Sequence, residues 1–309
     1  MNRLLQLAAG LLFLVTSTVV RADPLLLCGM DEVFAIDLAT AEKGKIEKGK
    51  IEKLWSWRAR DRAELPEALR KTFGTTDECK PVREGKQILI TSSGGGCALV
   101  DYPAGIVRWH ARVPNAHSIE LLPGNRVVVA SSTNANGNRL VLFDLARSDE
   151  PLWHTPLVSA HGVVWDEARE TLWALGLKEL RRYRLKDWDS KTPSLDLVTT
   201  WPLPDEDGHD LQPVPGANDL VVSTGRHVYL FDRAAEAFRP HPDLNDASHV
   251  KSVALHPTNG RAVFTEASDE HWWMEAVQVL PGKTPVPITG ERIYKVRWLV
   301  GPAGPAATE

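Results

Sequence analysis

Four histidines and one glutamate recur at similar places along this sequence and are its strongest candidates for a chemical site. Glu78, His117, His161, His209 and His249 each precede a turn and a β-branched run, and successive positions lie 39 to 48 residues apart. Neutral imidazoles together with a carboxylate are ligands that zinc, manganese and iron accept. The pattern therefore raises the hypothesis of a divalent metal held by these five residues, with one position open for water or substrate.

Two other interpretations of these residues stay open. The histidines could serve in a structural hydrogen-bond network with serine, threonine and aspartate, or they could line a ligand site without metal. Near the end of the chain lie the phenol of Tyr294, the ammonium of Lys295 and the guanidinium of Arg297. These groups can act as a base or bind a carboxylate. The full set of candidate ligand-binding residues is Glu78, His117, His161, His209, His249, Tyr294, Lys295 and Arg297.

The histidines stand at the head of a repeated unit of strand, turn and strand. Residues 117–132, HSIELLPGNRVVVASS, combine a Pro-Gly-Asn turn with a β-branched run, which predicts a hairpin. Related segments follow the other candidate positions, and a period of roughly 40 to 45 residues of strand and turn is typical of propeller blades. We therefore predict an all-β fold, a six-bladed β-propeller with four-stranded blades.

The two ends of the chain predict how this propeller closes. The N-terminal part supplies three strands, at Leu25–Cys28, Glu32–Leu38 and Leu54–Trp57, while residues 293–299 form a strand with no blade after it. Placing that strand in the first blade removes an open sheet edge. A single propeller domain over residues 23–301 follows. The first strand of each blade is then innermost, so the candidate residues ring one mouth of the central channel, with Tyr294 or Lys295 at the first blade.

The ends and the composition also predict the setting of the protein. Residues 1–22 combine Arg3, an apolar run and a small-residue cleavage site, which predicts a secretory signal peptide. Residues 302–309 are expected to form a disordered tail. The mature protein is expected to be periplasmic or extracellular, monomeric and without a membrane span. A net charge of −4 with no basic stripe argues against nucleic acid as a partner.

Three local features of the sequence predict a loop, a helix and the state of the cysteines. The tandem repeat of KGKIE at residues 43–52 predicts a solvated loop extension. The segment ELPEALRK, residues 64–71, is the one place where a short helix is expected. Three scattered cysteines are too few for a disulfide framework, and no bridge is expected between Cys79 and Cys97.

Several of these motifs resemble a known family. The run ECKPV…ILITSSGGG, then HSIELLPGNRVVVASS, LVLFD and the terminal YKVRW are similar to a family of secreted bacterial six-bladed propellers with WD40-like character and no assigned function. The resemblance covers nearly the whole mature chain and implies fold and secretion, but no activity. A weaker likeness, without a linear motif, links the repeated histidines to metal-dependent oligogalacturonate lyases.

Two functions from different classes follow from these observations. The first is a propeller that binds a ligand, for example a carbohydrate, or a protein partner at the histidine-lined mouth without turnover. The second is a metal-dependent lyase or hydrolase that acts on polysaccharides or oligouronides at the same mouth. The first is favoured because no G-x-S-x-G, His-Glu-x-x-His or other catalytic motif occurs in the sequence.

Overall fold

A computed structural model describes residues 24–44, 46–47 and 50–300 of the chain. It contains six antiparallel sheets of four strands each, arranged as the blades of a propeller, which confirms the predicted fold class. The predicted signal peptide, residues 1–22, and the predicted tail, residues 302–309, lie outside the described residues. Within the described part, no helix is long and apolar enough to span a lipid bilayer.

Twenty-four strands build the blades. The first blade receives β1 (Pro24–Gly29), β2 (Val33–Asp37) and β3 (Trp55–Trp57). Blades two and three are β4 (Thr76–Val82), β5 (Gln87–Ser92), β6 (Gly96–Asp101), β7 (Val107–Arg112), β8 (Ala116–Leu122), β9 (Arg126–Ser131), β10 (Arg139–Asp144) and β11 (Pro151–Pro156). Blade four is β12 (Gly162–Asp166), β13 (Thr171–Leu175), β14 (Glu179–Lys186) and β15 (Ser194–Pro202). Blades five and six are β16 (Asp210–Pro213), β17 (Asp219–Ser223), β18 (Val228–Asp232), β19 (Ala237–Pro240), β20 (Val250–Leu255), β21 (Ala262–Glu266), β22 (Ala276–Leu280) and β23 (Thr284–Pro287).

The C-terminal strand closes the propeller as expected. β24 (Ile293–Trp298) is the innermost strand of the first blade, whose order is β24, β1, β2 and β3. It pairs antiparallel with β1, from Leu25 opposite Trp298 to Gly29 opposite Ile293. The backbone groups of the first and last described strands are thereby hydrogen-bonded within one sheet, and the propeller has no open edge at the point of closure.

Local sequence accounts for the hairpins. Between β8 and β9, Gly124 and Asn125 both have a positive φ, 71° and 56°, which glycine and asparagine tolerate better than other residues. At the ends of β2, β10 and β18, an aspartate accepts a hydrogen bond from a backbone N–H two or three residues later. These carboxylates satisfy donors that the strand leaves unpaired and turn the chain towards the next strand.

The hydrophobic core lies between neighbouring blades. Alternate strand residues from facing sheets form the buried clusters, and large aromatic rings fill the widest gaps. Trp173 of β13 is fully buried and packs against Trp201 of the same blade and Phe231 of the next, with ring centroids 5.4 and 5.5 Å apart. Tryptophan thus acts as a rigid plate between sheets.

Irregular segments differ from the sequence expectations in detail. A short helix that was not predicted, α1 (Leu38–Glu42), begins where Asp37 caps the N–H of Thr40. The helix expected in residues 64–71 is the single turn α2 (Glu67–Arg70), preceded by a 3₁₀ turn at Ala59–Asp61. The insert expected to be a loop contains a two-residue hairpin, Ile46–Glu47 paired with Lys50–Ile51. All three cysteines are buried free thiols.

Candidate functional site at the channel mouth

The six innermost strands each bring one side chain to one mouth of the central channel. In three consecutive blades, from the third to the fifth, this side chain is a histidine. The ring lines a cavity of about 410 Å³. From blade one to blade six, its members are Tyr294, Asp77, His117, His161, His209 and Lys251.

β-Bulges position four of these six residues. The pairing between the first two strands of a blade shifts register at Asp77, His117 and Lys251, and the pairing of β24 with β1 shifts beside Tyr294. A bulge leaves one residue without a partner opposite it and re-aims its side chain. The bulged residues reach the cavity, while the rest of each strand continues its normal alternation into the core.

A repeated left-handed turn orients the three imidazole rings. In each case the residue two positions earlier has a positive φ, and its carbonyl oxygen accepts a hydrogen bond from the ring Nδ1. Because a carbonyl can only accept, Nδ1 carries the proton of the neutral ring and Nε2 is left as an acceptor. The three pairs are His117 with Asn115 (3.1 Å), His161 with Ser159 (2.9 Å) and His209 with Asp207 (2.7 Å).

The three rings are neighbours and two of them are held neutral. The ring centroids of His117 and His161 lie 4.3 Å apart, and those of His161 and His209 lie 5.2 Å apart. Burial, assisted by the two flanking rings, lowers the pKa of His161 well below its ordinary value. Burial and the Lys251 ammonium lower the pKa of His209 to about 4. At neutral pH these rings therefore present acceptor nitrogens, not positive charge.

Lys251 gives the mouth its one ring ammonium. Its Nζ lies 2.7 Å from Nε2 of His209, to which it donates a hydrogen bond. The side chain is buried, and burial lowers the pKa of Lys251. Because an ammonium can only donate, this contact independently shows that Nε2 of His209 is an acceptor.

Asp77, Tyr294 and Trp272 complete the wall. Oδ2 of Asp77 accepts a hydrogen bond from the N–H of Ser93, and Oδ1 lies 3.5 Å from Nε2 of His117. Burial raises the pKa of Asp77. The indole of Trp272 is 42% exposed and meets the Tyr294 ring edge-on, with centroids 5.8 Å apart. The cavity therefore combines polar groups at its wall with an aromatic plate at its rim.

A buried ion-pair network lies below the ring and crosses the channel. The guanidinium of Arg297 contacts Oε1 and Oε2 of Glu78, both at 2.9 Å, and Oδ1 of Asp210 at 2.7 Å. Lys295 Nζ lies 3.3 Å from Oδ1 of Asp210 and 3.6 Å from Oε2 of Glu78. Burial by itself would raise the pKa of Glu78, but Arg297 and Lys295 lower it to about 2. These ion pairs form the floor of the mouth.

The chain matches the model of a family of unknown function, DUF6528, over residues 33–304. The chain belongs to this family. The matched range contains the whole mouth ring and the ion-pair network beneath it, so both are parts of the DUF6528 domain. No curated protein matches the chain.

The structure of this DUF6528 domain divides the eight predicted residues among three places. His117, His161, His209 and Tyr294 lie in the mouth ring. Glu78, Lys295 and Arg297 lie in the buried network below it. His249 lies in a neighbouring cavity, half-exposed, with its Nε2 3.0 Å from Oδ1 of Asp269. Sequence reasoning did not include Asp77 and Lys251, which take the ring positions expected for Glu78 and His249.

Turn length explains the difference in blade two. The expected register placed Glu78, His117 and His209 each seven residues before the glycine of the next turn. The turn after β4 joins Val82 to Gln87 and is one residue longer than the turn that joins Leu122 to Arg126. His161 and His249 were matched by a looser likeness to the same repeat, and in blade six this match lies two residues before the ring position.

The ring residues of blades two and six can be recognised from their distance to the next buried apolar residue of the same strand. The residue two positions after each ring member is a buried apolar residue in all six blades. Glu78 and His249 fail this criterion, because Lys80 and Lys251 stand two positions later. The core residues are Cys79, Ile119, Val163, Leu211, Val253 and Val296.

The five predicted metal ligands are not brought together. Over the described residues of this DUF6528 chain, no group of three or more His, Cys, Asp or Glu side chains is placed to hold a metal ion. Glu78 is bound by Arg297, His249 lies elsewhere, and Nε2 of His209 accepts a hydrogen bond from an ammonium. A smaller metal site at the three imidazoles stays a hypothesis, which metal analysis tests.

Proposed function

We propose that this DUF6528 propeller acts outside the cytoplasm and binds a carbohydrate at the histidine-lined mouth, without converting it. The observation that carries this proposal is the row of three imidazoles with their Nδ1 atoms held by carbonyls, beside the exposed indole of Trp272. Sugar hydroxyls donate hydrogen bonds to the acceptor Nε2 atoms of His117 and His161, and the apolar face of a sugar ring packs on the indole.

The size and remaining lining of the cavity agree with such a ligand. A volume of about 410 Å³ lies in the range of small-molecule sites, about 300–1,000 Å³. Asn115, Ser93 and Thr75 line the same cavity with amide and hydroxyl groups that both donate and accept. The mouth thus offers a mixture of acceptors and donors, which a polyhydroxylated molecule can satisfy in several directions.

Binding without turnover is favoured by the state of the carboxylates beneath the mouth. Hydrolysis by paired acids needs one carboxyl group free to donate a proton and another free to activate water. Glu78 and Asp210 are both engaged by Arg297, at 2.9 and 2.7 Å. Their oxygens are committed to ion pairs, so they support the floor and do not face a substrate as an acid and base pair.

Calorimetric titration of the purified mature protein with neutral and acidic oligosaccharides tests the proposal. We expect Trp272→Ala and His161→Ala each to weaken sugar binding by at least about tenfold, because each removes a contact at the mouth. Trp165→Ala is the matched control, since this tryptophan lines a separate cavity and should leave affinity unchanged. Absence of binding across the panel by the folded wild-type protein would contradict the proposal.

A metal-dependent lyase or hydrolase at the same mouth is the second candidate. The hydrogen bond from Nδ1 to a backbone carbonyl, seen in all three histidines, is the contact that orients metal-binding imidazoles. Metal analysis after incubation with zinc and manganese, beside a His117→Ala/His209→Ala variant, separates the two candidates. Near-stoichiometric metal that is lost in the folded variant, together with unsaturated products from oligouronides, would favour the enzyme. If the propeller instead binds a protein and no sugar displaces that protein, a protein partner would be favoured.

A further inference from the structure

Lys251 differs from the other buried lysines of the channel. Lys80 and Lys295 each have a carboxylate partner, at 2.9 and 3.3 Å respectively. No carboxylate oxygen of the described residues forms an ion pair with Lys251, and its contact is the neutral imidazole of His209 at 2.7 Å. Lys251 is only 8% exposed, yet it lines the cavity at the mouth.

A buried cation in this position lacks the direct ion pair that buried charges normally have, since Asp207 acts on it only from beyond ion-pair distance. Burial removes hydration from the ammonium, and an opposite charge or several hydrogen bonds must replace it. One N–H of Lys251 is used by His209, which leaves two donors of the ammonium for a molecule in the cavity. An anionic group of a ligand would satisfy both the charge and the remaining donors.

We propose that the sugar bound at this mouth carries a carboxylate, and that Lys251 binds this carboxylate. The inference rests on the proposed carbohydrate function and names its ligand class as a sugar acid. The Nε2 atoms of His117 and His161 accept hydrogen bonds from the hydroxyls of the same sugar ring. Lys251 therefore determines specificity, because neutral sugars leave the ammonium without a counter-charge.

The one carboxylate of the ring does not fill this role. Asp77 stands two blades away from Lys251 and accepts the N–H of Ser93. Its other oxygen faces His117. Asp207, on the turn before His209, lies 3.6 Å from Nδ1 of that ring with its own side chain more than half exposed. Neither carboxylate forms an ion pair with the ammonium, although the charge of Asp207 acts on Lys251 from beyond ion-pair distance. The space beside Lys251 is therefore the place where an external anion can make a direct contact.

Matched sugar pairs test this inference by calorimetry: glucose with glucuronate, galactose with galacturonate, and the corresponding dimers, beside glucose 6-sulfate. We expect wild-type protein to prefer the carboxylate member of each pair. Lys251→Met should weaken binding of the acid by about thirtyfold or more, the effect of truncating one partner of a buried charge pair. The affinity for the neutral member should change by less than about twofold.

Two further variants serve as controls for the charge and the position of Lys251. Lys251→Arg retains the charge and should retain the preference for the acid, while Lys71→Met removes an exposed lysine on α2 and should change nothing. The melting temperature of Lys251→Met should equal or exceed that of the wild type, because the variant removes a buried charge that has no ion-pair partner. A large loss of stability would make Lys251 a structural residue.

Each remaining outcome has a distinct meaning. Equal binding of neutral and acidic sugars, an equal loss of both in Lys251→Met, or a preference for the sulfate over the carboxylates would overturn the inference and leave the carbohydrate function standing. No binding of any sugar by the folded wild-type protein would overturn both.

Discussion

Replacing Arg297 by methionine removes the cation that two buried carboxylates share. The side chain is 3% exposed and contacts Glu78 through Nε and Nη2, both at 2.9 Å, and Asp210 through Nη2 and Nη1, at 2.7 and 3.1 Å. In Arg297→Met only Lys295 would remain near both acids. One buried carboxyl group would then have to stay uncompensated or take up a proton.

The structure sets the expected magnitude. Breaking a buried ion pair by removing one partner costs about 3–5 kcal/mol. The low pKa of Glu78, about 2, agrees in direction, because Arg297 is the largest of the nearby charges that keep this buried carboxylate ionised. A loss of 3–5 kcal/mol corresponds to a fall in melting temperature of roughly 6–10 °C for a domain of this size.

Equilibrium unfolding in urea and thermal unfolding at pH 7 measure this loss. Arg239→Met is the matched control, because Arg239 makes a 2.7 Å pair with Asp219 but is half-exposed. It should cost less than about 1 kcal/mol. Adding Glu78→Gln to Arg297→Met should recover part of the lost stability, because the double variant no longer contains the Glu78 carboxylate that Arg297→Met leaves without its guanidinium partner.

The pH dependence provides a second readout of the same network. The folded-state pKa of Glu78 lies below its ordinary value, so its contribution to stability is fully present above about pH 4.5 and is lost as the pH falls towards 2. This acid-dependent part of the stability should shrink in Arg297→Met. An Arg297→Met protein within 1 kcal/mol of wild type, with the same acid profile, would refute the reasoning.

Three further predictions follow from the described contacts. Folding lowers the pKa of His209 from 6.5 to about 4, because the buried ring resists protonation. The unfolded state therefore binds one more proton between these values, and the free energy of unfolding should fall by about 3 kcal/mol as the pH falls from 6.5 to 4. Urea unfolding across this range should show the slope in wild type and not in His209→Asn. Arg233→Met should cost about 2–3 kcal/mol, because Arg233 of blade five donates to Asp166 of blade four at 2.6 Å in a buried pair; a melting temperature equal to wild type would contradict this. The three cysteines are fully buried, so iodoacetamide should label none of them in the native protein and all three after denaturation, as read by intact mass.

Much of the architecture could be predicted because its determinants are local. Alternating apolar residues, glycine and asparagine at left-handed turn positions, and aspartate at strand ends are each visible within a few residues. The closing strand was also predictable, since a three-stranded N-terminal blade and an isolated strand at residues 293–299 complement each other. Short irregular pieces such as α1 were missed, because a single turn held by one cap leaves a weak pattern.

The mouth could be predicted only in part. The positions of His117 and His209 follow from the seven-residue count, and that of His161 follows from the recurrence of histidine at the head of a blade. Asp77 was missed because the turn of blade two is one residue longer than that of blade three. Lys251 was missed because His249, two residues earlier, matched the recurring histidine. The apolar residue two positions further on would have identified both, since the core tolerates no such shift.

The sequence by itself determined the blade repeat, the hairpins, the way the propeller closes and the presence of three histidines at one mouth. Only the tertiary structure decided which charges meet inside the channel. Arg297 and Glu78 are 219 residues apart in the chain, and Arg297 and Asp210 are 87 apart. Their pairing depends on the rotation of each blade around the axis and on the bulges that set the depth of each side chain. A repeat pattern records neither, because it describes each strand relative to its own sheet.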